Sequence, residues 1–280
     1  MSGSAILSGV TFVYLLSFLL YLVGMVRGKG FWGGAASWIA RIGFLLHNTA
    51  LLLRWKSSYD LGIGHAPLAN LYESLVLFAW AVLLLHILIE WKTRSRSFGV
   101  FVMPVAFLLL AFASISPGVH DRIEPLIPAL QSNWLTVHVL TCFLGYASFA
   151  MAFALGIMYL LKGTAGEAGR RKGMFFHLIP AAETVEELLY QSAVLGFVLL
   201  SLGIMTGSVW AHYAWGAYWS WDPKETWSLI TWIVYALMLH ARAMRGWRGK
   251  RMAWLSLVGF ASVLFTYLGV NYLDSLHSYF

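Results

Sequence analysis

The sequence predicts an all-α, polytopic membrane protein: a helical bundle of about eight transmembrane helices with both chain termini outside the membrane. Of its 280 residues, 60% are hydrophobic and only 11% are charged, whereas soluble domains carry roughly 25% charged residues. Helices satisfy every backbone hydrogen bond within one segment, as hydrocarbon surroundings require. Barrel strands would instead alternate apolar and polar residues over segments of about ten residues, and the sequence lacks that pattern. The composition therefore excludes a soluble domain.

Eight apolar segments are long enough to cross a hydrocarbon core of about 30 Å, which takes roughly 20 helical residues. The fifth is long for a single span and can project beyond the membrane. No repeat or linker interrupts the chain, so residues 1–280 are expected to form a single domain. The predicted spans lie at about 5–26, 35–54, 69–91, 98–116, 134–162, 187–209, 226–244 and 252–273.

The basic residues predict which side of the membrane each connection faces. The connections at 27–34, 92–97, 162–186 and 241–251 hold fourteen of the nineteen Lys and Arg residues, and the alternate connections hold four. Because cytoplasmic loops are enriched in Lys and Arg, the first set is assigned to the cytoplasm. The net charge of +7 therefore indicates membrane topology rather than nucleic-acid binding.

The single cysteine excludes two kinds of redox protein. Cys142 lies in an apolar segment, and there is no C-x-x-C pair for dithiol chemistry. The C-x-x-C-H motif that attaches haem in c-type cytochromes is missing as well. The first charges, Arg27 and Lys29, follow the N-terminal apolar stretch. That order predicts a first helix with an outer N-terminus rather than a cleavable signal peptide.

The connection between the sixth and seventh spans reads WAHYAWGAYWSWDPKETW, residues 210–227, and is predicted to be a short loop that faces outward. An interfacial aromatic belt explains Trp and Tyr residues at a membrane surface. It does not explain the other residues between these rings, which are Gly216, Asp222, Pro223, Lys224 and Glu225. Flat apolar rings in such a loop favour contact with a flat ligand.

The nine histidines are scattered along the chain. Zinc and copper sites gather their ligands at close spacing, as in H-E-x-x-H, and no such spacing occurs here. Haem needs only one or two axial ligands, and they can come from any part of a fold. His240 falls within a span, about 20 Å of helix from Trp227, and an ionisable residue inside a membrane indicates a functional site. The alternative for any one histidine is a neutral imidazole that hydrogen-bonds to a neighbouring helix.

Several stretches resemble one protein family. WGAYWSWDPKETWSLITW resembles the WWD motif of the haem-handling proteins of cytochrome c maturation. HAPLANLYESLVLFAW, LHAR and NYLDSLHSYF resemble the CcsA (ResC) branch of System II, whose members are often labelled CcsB in bacteria. The expected eight spans agree with that branch. The System I relatives CcmC and CcmF share the motif but differ in length.

The resemblance implies haem-binding roles for individual residues. His138 and His277 match two external histidines that flank the WWD segment, and His240 matches a histidine within a span. All three are expected to be axial ligands of haem iron. If haem inside the membrane takes both ligands from this chain, His86 is the candidate for the second. The other residues implied to contact haem are Trp215, Gly216, Tyr218, Trp219, Trp221, Asp222 and Glu225.

The resemblance also implies a reaction, in which the vinyl groups of haem b join the two thiols of a C-x-x-C-H motif in apocytochrome c. The chain would be a haem lyase subunit in the bacterial inner (cytoplasmic) membrane, with no catalytic nucleophile of its own. The implied partners are a ResB/CcsB-type membrane protein, apocytochrome c, haem and thiol-reducing proteins, with no nucleic acid. The candidates to pair with the haem propionates are Lys224, Arg54, Lys56 and Arg122.

Some alternatives stay open at the level of sequence. Asp222 and Glu225 either cap the helix of the seventh span or orient an imidazole or a substrate lysine. The chain could deliver haem without ligating it, as a CcmC-like or CcmF-like protein. A b-type electron-transfer protein would instead need histidine pairs that connect both sides, and a transporter would need helices broken at mid-membrane. A purely structural subunit would bind no haem.

Overall fold

The structure is a computed structural model that describes residues 3–126, 130–167 and 178–273. Within these ranges it contains eight α-helices and no strand, so the predicted all-α class is confirmed. A 3-10 turn, Gly269–Tyr272, follows the last helix. The helices are α1 (Gly3–Arg27), α2 (Gly30–Asp60), α3 (Leu71–Thr93), α4 (Gly99–Ile115), α5 (Asn133–Glu167), α6 (Ala182–Trp215), α7 (Pro223–Arg245) and α8 (Lys250–Tyr267).

Each predicted span coincides with one helix, although several boundaries differ. The helices α2 and α6 extend several residues beyond their predicted spans at both ends, and α5 extends several residues beyond the end of its span. The last span was predicted to continue to about residue 273, whereas α8 ends at Tyr267 and the 3-10 turn Gly269–Tyr272 follows it. The side chain of Asn271 donates to the carbonyl of Tyr267 at 3.0 Å, which satisfies a group that the next turn of helix would otherwise use.

Five of the helices, α1, α2, α3, α5 and α6, are long and apolar enough to cross a membrane, and α4 is a shorter apolar helix. The protein is therefore a multi-pass membrane protein. The total of eight spans and the outer position of both termini stay predictions.

The helices pack as a bundle in which successive helices run in opposite directions. The most extensive helix–helix contacts are those between α5 and α6 and those between α1 and α2. Helix α3 packs against both α4 and α5, and in this way it connects these two pairs. The ends of α2, α4, α6 and α8 and the starts of α3, α5 and α7 therefore share one end of the bundle, called here the cavity end. The opposite end carries the connections rich in Lys and Arg and is called the basic end.

A buried polar cluster ties α1, α2 and α3 together near the basic end. The Tyr21 hydroxyl donates to Glu90 Oε2 at 2.5 Å and lies 3.2 Å from His86 Nε2. Ser37 donates to the other carboxylate oxygen of Glu90, and Arg41 forms an ion pair with that oxygen at 3.3 Å. Because each helix contributes a polar group to Glu90, the cluster fixes their relative positions.

Candidate functional site

A cavity of about 220 Å³ lies at the cavity end, among α5, α6, α7, α8 and the connection 216–222. One face of α5 lines it with His138, Cys142 and Tyr146, which are spaced four residues apart and so share a helical face. Tyr267 of α8 and the Leu68–Ala69 stretch before α3 complete the wall. The cavity therefore collects residues that are far apart in the sequence.

The tryptophan-rich segment 210–227 is mostly helical, so the prediction of a loop over its whole length was wrong. Residues 210–215 form the last turns of α6, residues 223–227 open α7, and only 216–222 are non-helical. Gly216 ends α6 with φ +80°, and its N–H donates to the carbonyl of His212 at 2.9 Å. Because this left-handed conformation strains L side chains, the helix end favours glycine.

Asp222 and Glu225 cap α7, as one of the two interpretations of the sequence predicted. The Asp222 carboxylate accepts the backbone N–H of Lys224 at 3.0 Å, and Pro223 occupies the first turn. Glu225 Oε2 accepts the N–H of Asp222 at 3.2 Å and the N–H of Ser220 at 2.8 Å. This reciprocal capping box fixes the connection 216–222 against the start of α7.

The hydrogen bond that the His138 side chain makes determines which of its ring nitrogens carries the proton. Its Nδ1 lies 2.7 Å from the carbonyl oxygen of Gly203. Since a carbonyl can only accept, Nδ1 donates, and Nε2 carries the lone pair with which a neutral imidazole ligates a metal. The indole of Trp210 stacks on the imidazole, with 6.0 Å between centroids and 12° between planes. A Cβ at Gly207 would lie 2.6 Å from Nδ1, so a larger residue there would displace the imidazole ring.

The aromatic residues of the segment differ in exposure. Trp210 is buried and meets Trp215 edge to face at 4.5 Å. Tyr218 lines the cavity and stacks on His212, with ring centroids 4.3 Å apart. Trp219 also lines the cavity, and its buried Nε1–H has no hydrogen-bond acceptor in the described part of the chain.

Trp221 differs from these residues. It is exposed and adopts φ +61°, and it is not among the cavity-lining residues. The structure therefore brings Trp215, Tyr218, Trp219 and Glu225 to the cavity with His138 and leaves Trp221 outside it. Gly216 and Asp222 shape the segment without lining the cavity.

Lys224 is the cavity's only basic side chain among the described lining residues. Burial lowers the pKa of Lys224 to about 8, and the neighbouring Asp222 carboxylate opposes that shift. Two of the other predicted propionate partners are engaged elsewhere. Arg54 is buried in an ion pair with Glu73 at 2.8 Å, and Lys56 lies 4.0 Å from Asp60. Lys224 is thus the cation placed to meet an anionic group of a ligand.

The remaining predicted iron ligands lie elsewhere or outside the described residues. His277 lies outside the described residues, although Tyr267, ten positions earlier, lines the cavity. His240 is exposed on α7, which packs against α6 and α8. His86 is buried on α3 in the Glu90 cluster. The structure does not bring His86 and His240 together.

Three residues of the site were missing from the sequence-based set. They are Trp210, which supports the imidazole, Gly207, which makes room for it, and Cys142, whose Sγ lies 3.6 Å from His138 Nδ1. The spacing of His138 and Cys142 by four residues, and of Gly203 and Gly207 by four, was visible in the sequence. It became informative only once α5 and α6 were known to pack together.

The lining suits a flat, amphipathic ligand such as haem. Indole and phenol rings offer apolar walls, an imidazole with its lone pair on Nε2 offers an axial ligand, and Lys224 with the Trp219 N–H offers partners for carboxylates.

Comparisons with known proteins agree on one group. Residues 68–277 match the family described as Cytochrome C assembly protein. The chain is 40% identical over 282 residues to the Cytochrome c biogenesis protein CcsA of Pyropia yezoensis, covering 88% of each chain. It is 39% identical over 292 residues to CcsA of Guillardia theta, covering 97% of this chain and 95% of the relative. The identity to CcsA of Microcystis aeruginosa is 38% over 322 residues, with coverages of 95% and 94%.

A solved structure titled Cytochrome c Heme Lyase CcmF shares the fold. It superimposes with a TM-score of 0.68 at 22% sequence identity, over 96% of this chain and 47% of that chain. This chain therefore corresponds to about half the length of that protein.

Proposed function

This chain belongs to the cytochrome c assembly protein family and takes part in cytochrome c maturation, and from that premise we propose that it binds haem in the cavity beside His138 and attaches it to apocytochrome c. It does so together with a ResB-type membrane partner, in the cytoplasmic membrane of a bacterium. The observation that carries this proposal is the environment of the His138 imidazole. Its Nδ1 hydrogen bond to Gly203 directs the lone pair to Nε2, within a cavity walled by aromatic rings.

Thioether formation needs little chemistry from the protein itself. Each substrate thiol adds across one vinyl C=C of haem, with sulfur bonding to one carbon and hydrogen to the other, so no electrons are gained or lost overall. The two cysteines of C-x-x-C-H supply both thiols. The protein contributes position: His138 ligates the iron, the aromatic walls hold the ring plane, and Lys224 with Trp219 meets the propionates. His277 is the proposed ligand on the opposite face.

A second haem position, on the way to the cavity, is proposed at His240. The exposure of His240 on the surface of α7 supports a ligand pair shared with the partner protein. His86 is a poorer choice, because its Nε2 already contacts the Tyr21 hydroxyl and the Glu90 carboxylate.

The proposed function is tested with the full chain, co-expressed with its ResB-type partner and an apocytochrome reporter. We expect the purified complex to show the absorption spectrum of ligated haem and the reporter to retain haem on a denaturing gel. A reporter with both cysteines changed to serine is the matched control and should retain none. A colourless complex that inserts and pairs normally would contradict haem binding. A haem-loaded complex that never modifies the reporter would contradict ligation and would favour the alternative, in which the chain only delivers haem.

The protonation of Lys224 predicts a pH dependence of haem binding. Since burial lowers its pKa to about 8, the lysine is charged below that pH and loses its charge above it. We expect haem affinity to fall as pH rises from 7 to 10, by about tenfold or more, because a hydrogen bond to a charged group contributes about 1.5–3 kcal/mol. Titrating haem into the wild-type complex and following the Soret band measures this.

Two variants separate the lysine from other titrating groups. Lys224→Arg keeps its charge over this range and should flatten the pH profile while binding well, whereas Lys224→Gln should bind weakly at every pH. An unchanged slope in Lys224→Gln would assign the pH dependence to another group.

A further inference from the structure

A second cavity, of about 470 Å³, lies at the basic end, where α1 turns into α2 and α3 turns into α4. Lys29, Arg94 and Arg96 line it, and all three are exposed. Among the described residues no Asp or Glu lines this cavity, whose other polar side chains are mostly hydroxyls. We call it the basic pocket. It has no part in the haem site at the opposite end.

The start of α2 makes the electrostatics of the basic pocket unfavourable without a ligand. A helix N-terminus carries partial positive charge and is stabilised by acidic residues, not by basic ones. Yet Lys29 is the N-cap of α2, makes no side-chain cap, and the first turn holds no acidic residue. Arg96 lies along the same turn and donates to the carbonyl of Gly30 at 2.9 Å. Positive side chains therefore surround a positive helix end.

Arg94 adds a strained backbone to this arrangement. It ends α3 with φ +57°, a left-handed conformation that costs an L residue about 1 kcal/mol or more and that glycine usually takes. The negative end of the α3 dipole accounts for a cation near this position, but not for one at the strained residue itself. Among the residues whose side chains the structure describes, 3–126, 130–163 and 178–273, neither Lys29 nor Arg94 forms an ion pair with an acidic residue. An anion bound in the pocket would supply such a partner.

We propose that the basic pocket binds a phosphate group, carried by an anionic phospholipid of the adjacent leaflet. The pocket combines its cations with an apolar wall that includes Met25, Leu178 and Ile179, so it matches a headgroup joined to an apolar body better than a free ion. Basic pockets between transmembrane helices on the cytoplasmic side are suited to such headgroups. The lipid phosphate would satisfy the N-terminus of α2 and the three side chains together.

The proposal is tested on the full chain in neutral detergent, by following its unfolding midpoint through tryptophan fluorescence. Phosphatidylglycerol should raise the midpoint of the wild type in a saturable manner, while phosphatidylcholine and millimolar inorganic phosphate should leave it nearly unchanged. An equal rise with inorganic phosphate would overturn the lipid assignment in favour of a soluble anion. No rise with phosphatidylglycerol would overturn the site.

Arg94→Gly separates binding from folding. Glycine relieves the strain at φ +57°, so the variant should be at least as stable as the wild type in detergent alone, yet it should need about fivefold more phosphatidylglycerol for the same shift. Lys29→Gln with Arg96→Gln should raise that requirement about twentyfold. Arg251→Gln removes the same charge from the same end, outside the pocket, and should change nothing. Equal losses in Arg94→Gly and Arg251→Gln would show a general surface-charge effect and refute the pocket.

Discussion

Replacing His138 by alanine is expected to remove haem from the cavity and to lower the yield of thioether-linked cytochrome by at least about a hundredfold. Loss of groups that merely support a metal ligand costs about 10–100-fold, and loss of the ligand itself costs more. The measurement is the Soret absorbance of the purified complex, together with haem retained by the reporter. His120→Ala is the matched control, because His120 is exposed at the same end and does not line the cavity.

Two companion experiments show that the effect comes from ligation. Added imidazole can occupy the space that His138→Ala leaves, so it should restore part of the spectrum. Gly207→Ala keeps the histidine but places a methyl group 2.6 Å from its Nδ1, which would displace the ring from Gly203 and shift the Soret band without unfolding the bundle. If His138→Ala retained the wild-type spectrum, the iron ligand would have to lie elsewhere.

Breaking the buried Arg54–Glu73 pair is expected to lower the free energy of unfolding more than any of the other substitutions proposed. Both side chains are at most 4% exposed. Arg54 Nε donates to Glu73 Oε1 at 2.8 Å, and its Nη1 donates to the carbonyl of Asp121 at 2.7 Å. The second Glu73 oxygen accepts the N–H of Ala69 at 2.8 Å. Glu73→Leu would leave a buried guanidinium unpaired, at a cost of about 3–5 kcal/mol.

The measurement is reversible unfolding in mixed detergent, followed by circular dichroism. The double variant Arg54→Leu with Glu73→Leu should be more stable than Glu73→Leu alone, because it leaves no buried charge. Asp60→Asn tests an exposed pair, with Lys56 at 4.0 Å, and should cost at most about 0.5 kcal/mol. If the Glu73 and Asp60 variants lost equal stability, burial of the pair would be unimportant.

Because Glu73 holds Ala69 on the cavity wall, Glu73→Leu should also weaken haem binding.

The helices could be predicted from the sequence because the length of each apolar segment indicates where a helix forms. The cap of α7 could be predicted because its signals are local in the sequence. Asp222, Pro223 and Glu225 lie within four residues of one another, so the capping interpretation needed no tertiary information. The tryptophan-rich segment was harder, because a run of Trp, His and Tyr at 210–215 does not indicate whether α6 continues, and the structure shows that it ends only at Gly216.

The details of the cavity depend on which helix faces meet, and a single sequence does not reveal this. His138 was a candidate from its resemblance to known ligands, but its partners Gly203, Gly207 and Trp210 follow from the packing of α6 on α5. His86 illustrates the opposite case. It resembled a ligand by its depth in the membrane, yet its neighbours are the Tyr21 hydroxyl of α1 and Glu90, which lies one turn further along α3.

The capping box at the start of α7 has a consequence for the thermodynamics of ligand exchange. Glu225 Oε2 holds the N–H groups of Ser220 and Asp222, so the protein's own groups order the connection 216–222 before any ligand arrives. Binding then loses little conformational entropy, and the free energy of contact appears as affinity. Release likewise needs no refolding of this segment. Under the proposed function, the residence time of haem should therefore depend on exchange of the iron ligands, which a histidine of the incoming apocytochrome would drive.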